Sequence, residues 1–192
     1  MISLSKSINQ SIVIKKKILN LKPEIEIAIK KIYDCLKNNG KIMICGNGGS
    51  AADSQHLATE LAVRLKPQNN RKALSALSLS SDATFITACG NDFGFDKVFS
   101  RNLESIGKKD DILIVLSTSG NSKNIINVLK SAKKKKIYSI SFLGNNGGDC
   151  KKYSNLNIII PSNNTARIQE TYMFVGHYIL EKVEEAYLKK NR

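Results

Sequence analysis

The hydrophobic positions of this chain change their spacing near residue 40. Upstream of it, apolar side chains recur with the 3.6-residue period of an amphipathic helix, first at Ile8 and Ile12 and again from Ile25 to Leu36. The first pattern predicts a helix over about residues 4–20. The second predicts a helix that begins near Pro23, a residue suited to a first helical turn, and ends just before residue 40.

Downstream of residue 40, short apolar runs alternate with helical stretches. Because the runs are apolar on both faces, they are typical of buried parallel strands covered by helices. The alternation therefore predicts an α/β fold, a three-layer sandwich with a five-stranded, doubly wound parallel sheet. The predicted strands are Lys41–Cys45, Leu74–Leu79, Ile112–Leu116, Ile137–Leu143 and Leu156–Ile160, and the predicted helices cover about 50–66, 82–90, 96–106, 122–134 and 165–189.

Length and composition are those of one globular domain. The chain has 192 residues, of which 42% are hydrophobic and 24% charged, and it contains neither a Pro/Gly/Ser-rich linker nor an internal repeat. No stretch approaches about 18 consecutive apolar residues, and the first residues lack the features of a secretory signal. We therefore expect a cytoplasmic protein with no membrane partner. Its four cysteines lack C-x-x-C spacing, so we expect buried, reduced thiols.

The charge balance is strongly basic, with 30 Lys and Arg against 16 Asp and Glu for a net charge of +14. Such an excess raises the question of a nucleic-acid partner. However, only five of the basic residues are Arg, and no aromatic residues interleave with the Lys runs. We expect solvated helix faces and no nucleic-acid binding, while the positive field would still attract a phosphorylated metabolite.

Ligands of open α/β sheets bind beyond the carboxyl ends of the strands, where this chain carries two unusual loops. The loop Ser117–Ser122 has four hydroxyl side chains and a glycine between a strand and a helix. Hydroxyls and free N–H groups at a helix N-terminus can bind a phosphate, although a serine that only caps the helix is the alternative. The loop Gly46–Ser50 lets the backbone approach a ligand, but Ala51 breaks the G-x-G-x-x-G pattern and disfavours a dinucleotide.

The chain has only two histidines, and both lie in predicted helices. His56 and Glu60 are four residues apart on one helix face, a spacing that can bind a divalent metal, usually zinc. A surface pair between Glu60 and Arg64 is the alternative. His177 lies on an otherwise apolar face of the last helix, where a core histidine is the alternative. A Glu and a His beside a phosphate loop would form a general acid–base pair.

Taken together, these motifs resemble the phosphoheptose isomerases, or sedoheptulose 7-phosphate isomerases, of the sugar-isomerase (SIS) fold. The similarity covers about residues 40–185, and the two leading helices also fit. The serine loop alone occurs across sugar-phosphate proteins of this fold, whereas the combination of motifs is much more specific. The matching segments are CGNGGSAADSQHLATEL (45–61), DATFITACGNDFGFDKVFSR (82–101), STSGNS (117–122) and TARIQE (165–170), with the later His177.

The resemblance implies a single flavodoxin-like SIS domain over residues 1–192. Its α/β core would occupy 40–190, and the N-terminal helices at 1–39 would be used in oligomerisation. The implied assembly is a homotetramer whose active sites lie at subunit interfaces. The implied reaction is the aldose–ketose isomerisation of sedoheptulose 7-phosphate, a phosphorylated seven-carbon sugar, to D-glycero-D-manno-heptose 7-phosphate. This is the first step towards nucleotide-activated heptose for surface polysaccharide such as lipopolysaccharide or capsule.

The resemblance also implies the site residues. The serine loop would bind the phosphate, the glycine loop and a Gly-Asn-Asp turn would meet the sugar hydroxyls, and each subunit would carry one Zn²⁺ ion. The implied substrate-binding residues are Asn47, Gly48, Gly49, Ser50, Glu60, Asn91, Asp92, Ser117, Thr118, Ser119, Ser122 and Gln169, and the implied zinc ligands are His56, Glu60, Gln169 and His177.

For such an isomerisation we assign Glu60 as the base and His177 as the acid, with proton transfer through an enediol. A carboxylate held tightly by zinc is a poorer base, so either Glu60 exchanges between metal and substrate or the ion is partly structural. Gln169 and His177 lie about 12 Å apart along a helix axis, so one metal can bind both only if each side chain is near full stretch or if different chains supply the two residues. We therefore predict that one of them enters the site from a neighbouring subunit. Tyr172 stands where the family often has His, which predicts the loss of one polar group near the site.

Two alternatives stay open at this point. A non-catalytic relative of the same fold associates with the bacterial replication initiator, but that branch lacks the residues that match Glu60 and His177. An isomerase of another phosphosugar, a pentose or a hexose, would carry the same motifs, because the length of the sugar is read by the depth of the pocket.

Overall fold

Five parallel strands form one sheet in the order β2-β1-β3-β4-β5 in this computed structural model, which describes residues 2–190. This is the flavodoxin-like order of a doubly wound sheet, so the predicted fold class is confirmed. Every strand pair is parallel, and β1 and β3 are neighbours near the centre of the sheet. The strands are β1 (Ile42–Gly46), β2 (Ala76–Ser78), β3 (Ile112–Ser117), β4 (Tyr138–Leu143) and β5 (Leu156–Ile159).

Seven α-helices cover the sheet within residues 2–190. One hydrophobic core lies between the sheet and α1, α2, α3 and α7, and a second lies on the opposite face under α4, α5 and α6. Alternate residues of each strand supply the two cores, as expected where both faces of a sheet are buried. The helices are α1 (Leu4–Lys17), α2 (Lys22–Lys37), α3 (Gly49–Ala62), α4 (Ala83–Phe93), α5 (Val98–Ile106), α6 (Lys123–Lys134) and α7 (Thr165–Lys190).

Three predicted boundaries are wrong for identifiable reasons. Strand β2 is shorter than predicted because the N–H of Leu74 bonds to the carbonyl of Leu61 at the end of α3 rather than to β1. Helix α3 ends at Ala62 rather than near 66, where its last carbonyls find partners outside the helix. The predicted Gly-Asn-Asp turn is instead part of the last turn of α4, which ends at Phe93 and is followed by the C-cap residue Gly94 with a φ of 86°.

Residues 2–190 contain neither a candidate membrane-spanning helix nor a disulfide bond. No helix there combines the length and the apolar character that a bilayer span requires. All four cysteines are buried free thiols, as predicted. Burial raises the pKa of Cys35 and of Cys150 to about 12, which keeps these thiols protonated and unreactive at neutral pH.

Candidate active site

The loops after β1 and β3 lie side by side at the carboxyl edge of the sheet. Asn47 follows β1, and Asn124 lies in the first turn of α6. Their amide side chains bond reciprocally, at 2.9 Å from Asn47 Nδ2 to Asn124 Oδ1 and 2.8 Å from Asn124 Nδ2 to Asn47 Oδ1. Strand order reverses between β1 and β3, and this is the position at which doubly wound folds bind ligands. The two loops predicted from the sequence therefore form one surface.

The serine loop uses two of its hydroxyls to hold its own shape. Ser117 Oγ accepts a hydrogen bond from the Gly120 N–H at 3.1 Å, and Ser119 Oγ accepts one from the Asn121 N–H at 3.2 Å. Ser122 occupies the N-cap position of α6, yet its side chain makes no capping bond. The N–H groups of the first helical turn have no partner within the helix, which favours an anion there. The alternative, a serine whose side chain only caps the helix, is therefore not found at Ser122.

Gly120 fixes the serine loop against the loop that follows β4. Its φ is +66°, and a Cβ at this position would overlap the carbonyl of Gly147 and lie 2.9 Å from the Gly148 nitrogen. The Gly120 carbonyl accepts a hydrogen bond from the Cys150 N–H at 2.8 Å. Two backbones therefore touch here, and only glycine fits the contact.

His56, Glu60 and His177 converge within a single chain. Helix α3 places His56 and Glu60 one turn apart, with 3.4 Å between His56 Nε2 and Glu60 Oε1. His177 reaches them from α7, and its Nε2 lies 2.8 Å from His56 Nε2. One ligand atom from each of the three residues lies within 4.8 Å of the others. Among the described residues Glu60 thus pairs with His56 rather than with Arg64, and His177 is not a core histidine.

This donor set fits a zinc ion. Ligand atoms of a tetrahedral zinc site lie about 3.4 Å apart, since each is about 2.1 Å from the metal. The His56–Glu60 distance of 3.4 Å has this value, and the 2.8 Å between the two Nε2 atoms requires only a small separation of the rings. The His56 side chain is 48% exposed, so one side of the cluster is open to solvent within one chain.

Gln169, the fourth predicted ligand, lies two turns before His177 on α7. Its amide Nε2 is 2.7 Å from the position that a Cβ on Gly49 would occupy. Gln169 therefore lies directly against the glycine loop, where a side chain at residue 49 would displace it. The structure places Gln169 beside the loop and His177 beside the two residues of α3.

A polar group that the sequence did not reveal lies behind the glycine loop. Tyr172 is fully buried, and its hydroxyl lies 2.5 Å from the Ser50 hydroxyl. Burial raises the pKa of Tyr172 to about 12, and burial also raises the pKa of the nearby Asp53 carboxyl. The expectation that Tyr172 removes a polar group near the site is therefore wrong, because its phenol contacts Ser50 at the start of α3. No sequence signal marked this contact, since Tyr172 fits the apolar face of α7.

Asn91 and Asp92 lie in the exposed last turn of α4. The Asn91 amide donates to the Asp92 carboxylate at 2.9 Å. Within the part of the chain that the structure describes, their side chains form no hydrogen bond with the two loops or with the His–Glu cluster, so their role stays a prediction.

Comparisons with known proteins identify relatives that are similar in sequence and in fold. The family model described as SIS domain matches residues 8–144. The phosphoheptose isomerase of Campylobacter concisus is 45% identical over 169 residues, which are 88% of this chain and 88% of that protein. Solved structures of phosphoheptose isomerases from Neisseria gonorrhoeae and Francisella tularensis superpose with TM-scores of 0.87 and 0.90 at 34% and 32% identity. They cover 95% of this chain, and the match covers 97% and 96% of theirs.

Proposed function

Because the chain belongs to the phosphoheptose isomerases of the SIS-domain family, we propose that it converts sedoheptulose 7-phosphate to D-glycero-D-manno-heptose 7-phosphate. The observation that carries this proposal is the convergence of Glu60 and His177 within one chain. A carboxylate and an imidazole on facing helices are the pair that proton transfer between neighbouring carbons requires.

The isomerisation moves a carbonyl between C1 and C2 of the sugar. Glu60 accepts the proton from the carbon next to the ketone, which leaves an enediol, and the proton returns to the neighbouring carbon. His177 donates a proton to one substrate oxygen and accepts one from the other, so that no net charge accumulates. Each such group contributes about 10²–10⁴ in rate.

The two loops hold the substrate in this proposal. The phosphate binds at the serine loop, to Thr118, Ser122 and the free N–H groups that begin α6. Ser117 and Ser119 shape the loop through the bonds described above. The sugar hydroxyls meet Asn47 and Gln169, and the exposed backbone at Gly48 and Gly49 lets the sugar approach closely. Ser50 holds the start of α3 through Tyr172. Asn91 and Asp92 meet the sugar hydroxyls in this proposal.

We also propose that His56, Glu60 and His177 hold the zinc ion, with Gln169 as the fourth ligand. When bound, zinc would supply a Lewis acid that polarises the substrate carbonyl. Two descriptions of Glu60 follow from this arrangement: it exchanges between the ion and the substrate, or the ion is partly structural. In its own chain, Gln169 lies against Gly49 of the glycine loop, whereas His177 lies beside His56 and Glu60. We therefore propose that the Gln169 ligand comes from a neighbouring subunit.

We also propose that the protein forms a homotetramer, which an exposed apolar stripe on α1 supports. Leu4, Ile8 and Ile12 recur every four residues and are 77%, 50% and 46% exposed. Such a stripe on one helix face is typical of a surface that packs against another helix. Residues of the first helix would then join subunits and complete a site that is open on one side in a single chain.

Placing two charges in this stripe tests the assembly. The double substitution Ile8→Glu and Ile12→Glu is expected to yield monomers by size-exclusion chromatography with light scattering, because carboxylates cannot be buried unpaired at an interface. Isomerase activity should fall with the assembly. The matched control, Ser5→Glu with Asn9→Glu, adds the same two charges outside the stripe and should leave assembly and activity intact. A monomeric variant with full activity would contradict the proposal.

Turnover of the substrate itself tests the proposed reaction. The purified protein is incubated with sedoheptulose 7-phosphate, with and without a chelator, and the product is identified by NMR. We expect heptose 7-phosphate, with a lower rate after chelation. Pentose and hexose phosphates in parallel reactions test the alternative substrates. If no sugar phosphate is converted, the assignment fails, and a pull-down with the replication initiator becomes the relevant measurement.

A further inference from the structure

We infer that Arg71 and Glu184 are positioning residues that hold the side chains of Glu60 and His177 in fixed positions relative to each other. This inference rests on the proposed function. Neither residue belongs to the cluster or to the two loops. Their side chains are each only 2% exposed and form an ion pair of 2.7 Å between Arg71 Nε and Glu184 Oε1. A pair so deeply buried is costly to desolvate and by itself adds little net stability.

Arg71 binds the end of the helix that carries Glu60. Its Nη2 donates to the carbonyl of Glu60 itself at 2.8 Å, and its Nη1 donates to the carbonyl of Leu61 at 2.9 Å. The last carbonyls of a helix lack partners within the helix, and a cation there is favoured by the helix dipole. The guanidinium thus fixes the final turn of α3, from which the Glu60 side chain projects.

Glu184 connects the same guanidinium to the helix that carries His177. Seven residues separate His177 from Glu184 on α7, which is two turns, so the two side chains project from the same face. The second carboxylate oxygen accepts from Asn69 Nδ2 at 2.6 Å, and the first also accepts from the Leu65 N–H at 3.2 Å. Burial would raise the pKa of Glu184, but the hydrogen bonds from Asn69 and Arg71 outweigh this effect and lower it.

The consequence is a continuous polar bridge between the two helices of the proposed acid–base pair. It runs from the Glu60 carbonyl through Arg71 and Glu184 to the face of α7 that holds His177. A misplacement of about 1 Å of a reacting group can cost about 10²-fold in rate. A positioning role therefore predicts a loss in kcat that is separable from any loss in stability or in substrate affinity.

Two variants separate positioning from stability. Arg71→Lys keeps the charge beside Glu184, but a single ammonium group cannot also reach both carbonyls. The double substitution Arg71→Met with Glu184→Leu replaces the buried pair by apolar groups, a change that often preserves stability. In both variants we expect kcat for sedoheptulose 7-phosphate to fall tenfold or more (on the order of 10–10²-fold) with KM within about twofold. Zn²⁺ affinity, measured by calorimetry on the metal-free protein, should fall as well.

The control is a buried ion pair of similar geometry at the opposite edge of the sheet. Lys41 Nζ lies 2.6 Å from Asp111 Oδ2, where β1 and β3 begin. Lys41→Met should lower the midpoint of thermal unfolding while kcat and Zn²⁺ affinity stay at wild-type values. Arg71→Lys with wild-type kcat and Zn²⁺ affinity would overturn the inference, as would loss of folding in both Arg71 variants, since the pair would then be purely structural.

The Arg71 variants test this inference separately from the proposed function. Wild-type protein that turns over no sugar phosphate would refute the function, and the Zn²⁺ affinities would still show whether Arg71 positions Glu60 and His177. Wild-type protein that is active, with both variants equally active, would refute the inference alone. If the wild-type protein shows neither turnover nor Zn²⁺ binding, both fail together.

Discussion

Replacing Glu60 by glutamine is expected to lower kcat by about 10²–10⁴ while the protein stays folded. Gln has the size of Glu but cannot accept the substrate proton. The Glu60 carboxylate lies 3.4 Å from His56 and is 18% exposed, so the change also removes a charge from the His–Glu cluster. Steady-state kinetics with sedoheptulose 7-phosphate measure the loss, and thermal unfolding checks the fold.

Two comparison variants separate the base from the metal ligand. His56→Gln weakens the proposed zinc site without removing the base, so added Zn²⁺ should restore part of its activity but none of that of Glu60→Gln. Glu104→Gln alters a carboxylate on α5, across the sheet from the cluster, where it accepts a bond from Ser131 at 2.7 Å. That variant should keep wild-type kcat. If Glu60→Gln retained more than about a tenth of wild-type kcat at saturating Zn²⁺, the proposed base would be wrong.

The strand and helix order was predictable because buried parallel strands carry unbroken apolar runs. Strands β1, β3, β4 and β5 lie within one residue of their predicted bounds. The edge strand β2 was predicted at twice its observed length of 3 residues. Nothing in the sequence of Leu74–Leu79 indicates that the Leu74 N–H bonds to the end of α3. Likewise, the apolar pattern past Ala62 continues while the chain leaves the helix, because Arg71 supplies the bonds that end it.

The candidate site was predictable where it depends on local spacing and not where it depends on packing. The four-residue spacing of His56 and Glu60 places them together in any helix. That His177 meets them within the same chain follows from the packing of α3 on α7, across 121 positions of sequence. Glu184 was the one available signal for the polar bridge, as a charged residue among the buried Leu180, Val183 and Tyr187.

Substituting alanine for Gly120 is expected to destabilise the protein by about 3 kcal/mol and to raise KM for the sugar phosphate. Part of the cost comes from the φ of +66°, which a residue with a Cβ adopts at about 1–2 kcal/mol. The rest comes from overlap with the backbone of Gly147 and Gly148, which has no side chain to move aside. Because the serine loop is held against these residues, relief of the overlap must displace the loop.

Gly90→Ala provides the matched control, since it makes the same chemical change in α4 with nothing within 4 Å of the new Cβ. The φ of Gly90 lies outside the left-handed region. Replacing this helical glycine by alanine should therefore raise the free energy of unfolding by about 0.5–1 kcal/mol. Urea unfolding of both variants gives the two free energies, with opposite signs expected. Binding of inorganic phosphate, measured by calorimetry, should weaken only in Gly120→Ala. Equal stability and equal phosphate affinity in the two variants would mean that the backbone contact of Gly120 does not shape the loop.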